Sequence, residues 1–113
     1  ETDQGIHVER LSVSASTAST YVIEATLIQV AERPSIVSGS VRLEIQGTQN
    51  GEAVRLMTAD LGGAPTNLDF RFRYFQALEQ TVELPTEFTP SRIKVAVIGK
   101  KGTPVEAEFV WPA

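Results

Sequence analysis

Cysteine is absent from this 113-residue chain, and histidine and methionine occur once each, as His7 and Met57. Without cysteine there can be no disulfide scaffold, thiol nucleophile or zinc–thiolate site; a chain of this size buries enough surface to fold without such staples. A single histidine leaves no basis for a His-rich metal site, and His7 stands in no G-x-S-x-G or comparable nucleophile context. It alternates with Ile6 and Val8, so it reads as a solvent-facing strand residue. No run approaches 18 consecutive apolar residues, and no charged, apolar and small-residue sequence resembles a signal peptide. Lys and Arg total 10 against 14 Asp and Glu, giving a net charge of -4 and a pI near 4.9, which disfavours generic binding to nucleic acid or anionic lipid.

Phosphate cradles and calcium loops are missing too. Gly62-Gly63 is followed by Ala64-Pro65 and not by a lysine opening a helix. The carboxylates are scattered singly, with no D-x-D-x-D-G loop. A pair of acids could still meet in space as in a glycosidase, but a small sandwich offers no groove-forming insertion for one. The expectation is therefore a chain that is no enzyme and carries no cofactor or metal.

What is present is alternation. Leu68, Phe70, Phe72 and Tyr74 fall at every second position, with Asp69, Arg71 and Arg73 between them, so Leu68–Phe75 reads as a half-buried strand whose four apolar residues face the core. Ile6, Val8, Leu11 and Val13 alternate with one phase slip between Glu9 and Arg10, which a β-bulge would absorb. Ser14–Thr20 is a small, polar connector. Tyr21–Val30 reads as a long strand with a second bulge where the phase shifts to Ile28 and Val30.

Val41, Leu43 and Ile45 alternate ahead of Asn50-Gly51, a pair that supplies the positive φ angles of a type I′ hairpin, and the chain returns through Val54 and Leu56. Thr58–Asn67 is a long connection suited to carrying the chain between sheets. Leu78, Val82 and Leu84 resume period two, with Gln80 as the polar exception. Pairing Tyr74 with Leu78 sets Phe70 opposite Val82 and Arg73 opposite Glu79; a two-residue slip sets Arg71 opposite Glu83 instead, and matched chemistry on both faces does not choose between them.

Phe88 sits mid-way in the stiff link Pro85–Pro90 as a plug, and Ile93, Val95 and Val97 form one closing strand. Val105, Ala107, Phe109 and Trp111 form the other; their shared parity makes Trp111 a core residue. About eight strands and no helical periodicity predict an all-β, antiparallel two-sheet sandwich of the immunoglobulin or fibronectin kind, spanning residues 5–113 after a disordered tail at 1–4. Arg71, Arg73, Phe75 and Arg42 are the candidate interaction surface, since arginines beside an aromatic can grip a carboxylate or stack on a sugar; the plain alternative is pairing of the arginines with Glu79 or Glu83.

The segments Leu68–Glu79, Val82–Pro85 and Phe88–Pro90, with the ending Phe109-Val-Trp111, resemble the C-terminal β domain of an uncharacterised gammaproteobacterial inner-membrane family. The second half carries this resemblance in residues, the first half in pattern. It implies a periplasmic domain preceded by a transmembrane helix and a coiled coil in parts outside this chain, with homodimerisation through that coil. It also implies a link to bactofilin-type cytoskeletal proteins, whose genes neighbour those of the family. No catalytic residue is carried over. The function expected is thus a non-catalytic module with a protein partner in the cell envelope; a small carbohydrate- or peptidoglycan-binding module is the alternative.

Overall fold

The computed structural model describes residues 5–58, 68–100 and 104–112. It holds eight strands: β1 (Ile6–Ala15), β2 (Thr20–Gln29), β3 (Val37–Gln49), β4 (Glu52–Met57), β5 (Leu68–Phe72), β6 (Phe75–Glu83), β7 (Phe88–Gly99) and β8 (Val105–Val110). They form two antiparallel sheets, as the alternation predicts. One has the order β1-β2-β6 and the other β4-β3-β7-β8, with β5 also on β3. The chain crosses between sheets at β2–β3, β5–β6 and β6–β7, an immunoglobulin-like arrangement.

Strand β3 is the spine of the larger sheet. One edge pairs with β7 from Gly39 to Gln49. The other is shared: β4 covers Glu44–Gln49 and β5 covers Val37–Val41. Since both run antiparallel to β3, the chain leaves its edge after Met57 and rejoins the same edge at Leu68. Thr58 closes part of the gap, its hydroxyl lying 3.2 Å from the Leu43 carbonyl oxygen and 3.2 Å from Gln80 Oε1 of the opposite sheet. Thr58 and Gln80 are both buried, and their contact accounts for the buried polar residue of β6. The long connection thus begins and ends on one sheet, contrary to the expected change of sheet; residues 59–67 of it lie outside the described residues, as does the expected tail at 1–4.

Inward side chains of both sheets fill the core: Ile23, Leu27, Leu78 and Val82 from the smaller one, Val41, Leu43, Ile45, Phe70, Phe72, Ile93, Val95 and Val97 from the larger. Trp111 is buried, as expected. Its ring meets Tyr21 of β2 edge-on at 5.4 Å and 79°, tying the end of β8 to the other sheet.

Several local expectations hold for the reasons given. Register shifts between Val8 and Arg10, opposite Leu27 and Thr26, so the extra residue is Glu9. Asn50 and Gly51 have φ of 53° and 84° at the β3–β4 turn. The second bulge expected in β2 does not form. Its pairing with β6 runs unbroken from Thr20 to Ile28, because Ile28 faces outward and Val30 lies past the strand end, 62% exposed.

A bulge that the sequence reading did not anticipate lies in β7. Gln46 pairs with Arg92 but Gly47 pairs with Pro90, leaving Ser91 as the extra residue. This lets Pro90, which has no N–H to donate, sit inside a strand. Ser91 Oγ donates to the Gln46 carbonyl at 3.1 Å, and the Ser91 carbonyl accepts the Trp111 N–H at 2.9 Å. Phe88 is buried as the plug expected, and its ring closes over Gly47. A Cβ at Gly47 would lie 2.1 Å from the Thr89 carbonyl oxygen and 2.8 Å from Phe88 Cζ. Because paired backbone cannot yield, Gly47→Ala is expected to destabilise the domain by about 1–3 kcal/mol. A lowered urea midpoint with unchanged m-value would show this, and an unshifted midpoint would contradict it.

Candidate functional site

The four residues singled out by sequence do not form one surface. Strand β5 ends at Phe72, Arg73 and Tyr74 make the bend, and β6 begins at Phe75 in the other sheet. Strands β5 and β6 are therefore not the hairpin that matched faces had suggested: Phe70 lies opposite Gly39 and Val82 opposite Tyr21. The chain must rotate to change sheets, so the alternation breaks after Phe72. Leu68, Phe70 and Phe72 are core residues as expected, but Tyr74 is 62% exposed and Phe75 69% exposed. Neither arginine forms an ion pair with Glu79 or Glu83, and Glu79 lies opposite Glu24 of β2.

Two hydrogen bonds fix this corner. The Arg71 N–H donates to Gln76 Oε1 at 2.8 Å, and the Gln29 N–H donates to the Tyr74 carbonyl at 3.0 Å. The aromatic side chains are thus exposed on a held backbone. Phe75 lies opposite Ile28, which lies opposite His7, so the three make one row across the outer face of the smaller sheet. His7 is exposed, as read from the sequence.

Arg71 belongs to a second place. It lies opposite Ser38 on the outer face of the larger sheet and lines a shallow trough of about 670 Å³ with Ser40, Asp69, Gln76 and Lys100. Arg42, farther along the same face opposite Ala96, lines a smaller depression of about 300 Å³ with Glu44, Met57, Lys94 and Glu106. Lys94, half-buried, sits 3.9 Å from Glu106, and Arg92 3.4 Å from Glu108 in an exposed pair, so charges on the β7–β8 side are matched. Ser38, Ser40, Asp69 and Lys100 escaped the sequence reading. The one available signal was the pair of small outward residues Ser38 and Ser40 within a strand, which leave open space where larger side chains would stand. Among the described residues, no group of three or more His, Asp or Glu side chains is arranged to hold a metal ion.

These features define an antiparallel immunoglobulin-like β-sandwich with a surface aromatic corner and a separate polar trough. The family model described as "Family of unknown function (DUF6776)" matches residues 1–95, and the chain belongs to that family. The match takes in the whole first half, where the resemblance read from sequence lay only in pattern, and stops within β7, before Phe109-Val-Trp111. No curated protein matches the chain. A solved structure, the Pseudomonas fluorescens alkylpurine DNA glycosylase AlkC bound to DNA containing an abasic site analog, is similar over 96% of this chain and 31% of that one, at 14% identity and a TM-score of 0.46.

The Gln76 side chain is the peg of the β5–β6 corner, so its removal has a local signature. Gln76→Ala is expected to speed hydrogen exchange at the Arg71 amide by about threefold to tenfold, the loss of one such bond, while the Ile45 amide is unchanged. Equal acceleration at both amides, or none at Arg71, would contradict the pegging role.

Proposed function

We propose that this domain is a non-catalytic interaction module of a membrane-anchored cell-envelope protein, and that the corner Arg73-Tyr74-Phe75 is its contact surface. The observation that carries the reading is the side-by-side exposure of an arginine, a tyrosine and a phenylalanine on a backbone held by Gln76 and Gln29. Arginine and aromatics are enriched at protein interfaces: the aromatics bring large contact area with few rotamers to freeze, and arginine brings a planar guanidinium that stacks and hydrogen-bonds. Periplasmic placement, an anchor and coiled coil in parts outside this chain, and a link to a bactofilin-type polymer are supported by the family resemblance read from the sequence. The absence of cysteine and the single exposed histidine favour binding over catalysis.

A second reading, a small carbohydrate-binding module, is favoured by the trough, whose lining offers two serine hydroxyls, an acid and two cations. The first reading is tested in cells by placing a photoreactive residue at Phe75 and, as a control, at Thr48, which lies at the far end of β3. A discrete cross-linked product from position 75, weakened by Arg73→Glu and missing from position 48, is the expected result. Identical products from both positions, or none from the corner, would remove it as the contact surface.

A further inference from the structure

The trough on the outer face of the larger sheet is built of two parallel rows. Arg71 lies opposite Ser38, and the Ser38 carbonyl accepts the Lys100 N–H at 3.0 Å, so the first row reads cation, hydroxyl, cation from β5 across β3 to the residue that follows β7. Asp69 lies opposite Ser40 and Ser40 opposite Ile98, so the second row reads acid, hydroxyl, apolar side chain. At ordinary strand spacing, Arg71 and Lys100 stand about 10 Å apart with only a hydroxymethyl group between them. The two rows are about 7 Å apart along the strands. Among the described residues neither cation is in an ion pair. Gly39, opposite Gly99 and the buried Phe70, belongs to the inward phase, so the floor between the two outward rows is backbone and no aromatic side chain rises from the lining.

We infer that this trough binds a sugar acid, its carboxylate held over Ser38 by Arg71 and Lys100 and its ring hydroxyls held by Ser40 and Asp69. The carboxylate assignment follows from the first row, in which a guanidinium and an ammonium face each other across a small donor, the arrangement suited to charge-assisted bonds to one oxyanion. The hydroxyl assignment follows from the second row, because Asp69 accepts from hydroxyl donors and repels a second negative group. A polyphosphate or nucleic acid strand fits poorly, since it would run its charges over Asp69 on a protein of net charge -4. A volume of about 670 Å³ lies within the range of small-molecule sites and has room for one or two sugar rings. Arg71, which the sequence alone offered as a surface arginine, becomes the carboxylate-gripping residue, and Lys100, 29 positions on, its partner.

The inference rests on the carbohydrate-binding reading and narrows it, and a titration of the folded protein followed by amide NMR separates the two. Glucuronate, glucose, acetate and inorganic phosphate are the probes. Glucuronate is expected to shift the Ser38, Ser40, Arg71 and Lys100 amides, with glucose about tenfold weaker, the loss of one charge-assisted contact. Arg71→Gln and Lys100→Gln should each weaken glucuronate by a similar factor. Asp69→Asn should erase the advantage of glucuronate over acetate. Equal binding of glucose and glucuronate would overturn the carboxylate assignment and leave the carbohydrate reading standing. Acetate or phosphate binding as well as glucuronate would reduce the trough to an anion contact and overturn the sugar assignment. Silence from every probe would overturn both.

Discussion

The rest of the molecule depends on both edges of β3 being covered along nearly all of its 13 residues, with Arg42 and Leu43 falling between β5 and β4 on one edge. A strand with free N–H and C=O groups on either side would be a template for unwanted pairing; here β7 takes one edge and β4 and β5, end to end, take the other. That constraint positions what surrounds it. The inward residues Val37, Val41, Leu43 and Ile45 are held at the centre of the core. Because β4 and β5 must share one edge, the chain can leave after Met57 and come back at Leu68 without disturbing the sheet. Thr58, hydrogen-bonded to the Leu43 carbonyl, supplies a polar partner at the point of departure and reaches Gln80 across the interior.

The same constraint produces the surface. Held on β3, β5 cannot also pair with β6, so within three residues the chain turns out of one sheet and into the other. Phe72 is the last residue whose side chain points inward; Tyr74 and Phe75 emerge because the backbone rotates before β6 begins. On the outer side of the same strand, Arg71 and Asp69 stand beside the small residues of β3 and form a wall of the trough. Corner and trough are therefore two products of one structural constraint, on the outer faces of different sheets.

Much of the fold was legible because sheet burial writes itself as period two. The inward faces of β3, β6, β7 and β8, the slip at Glu9 and the Asn50-Gly51 turn could all be read from local spacing. Strand pairing was not legible in the same way. Every strand here alternates, so matched apolar and charged faces are compatible with many partners, and the Arg73–Glu79 match that favoured a β5–β6 hairpin was one coincidence among several. Tyr74 kept the parity of Phe70 and Phe72, and only the change of sheet, a non-local event, put it outside. The bulge at Ser91 was hidden for a related reason: Pro90 reads as a breaker, while the compensating Gly47 lies in another strand. The trough was the least legible feature. Ser38, Arg71 and Lys100 meet only through register, and no single window of sequence contains more than one of them.

Leu68–Phe75 is divided between two sheets, with β5 on β3. Cross-strand nuclear Overhauser effects report on that division. Contacts are expected to link the backbone of Val37 with Phe72 and of Val41 with Leu68, and others to link Val82 with Tyr21. Backbone contacts between Phe70 and Val82, with those to Val37 and Val41 missing, would restore the hairpin and contradict both the exposed corner and the trough.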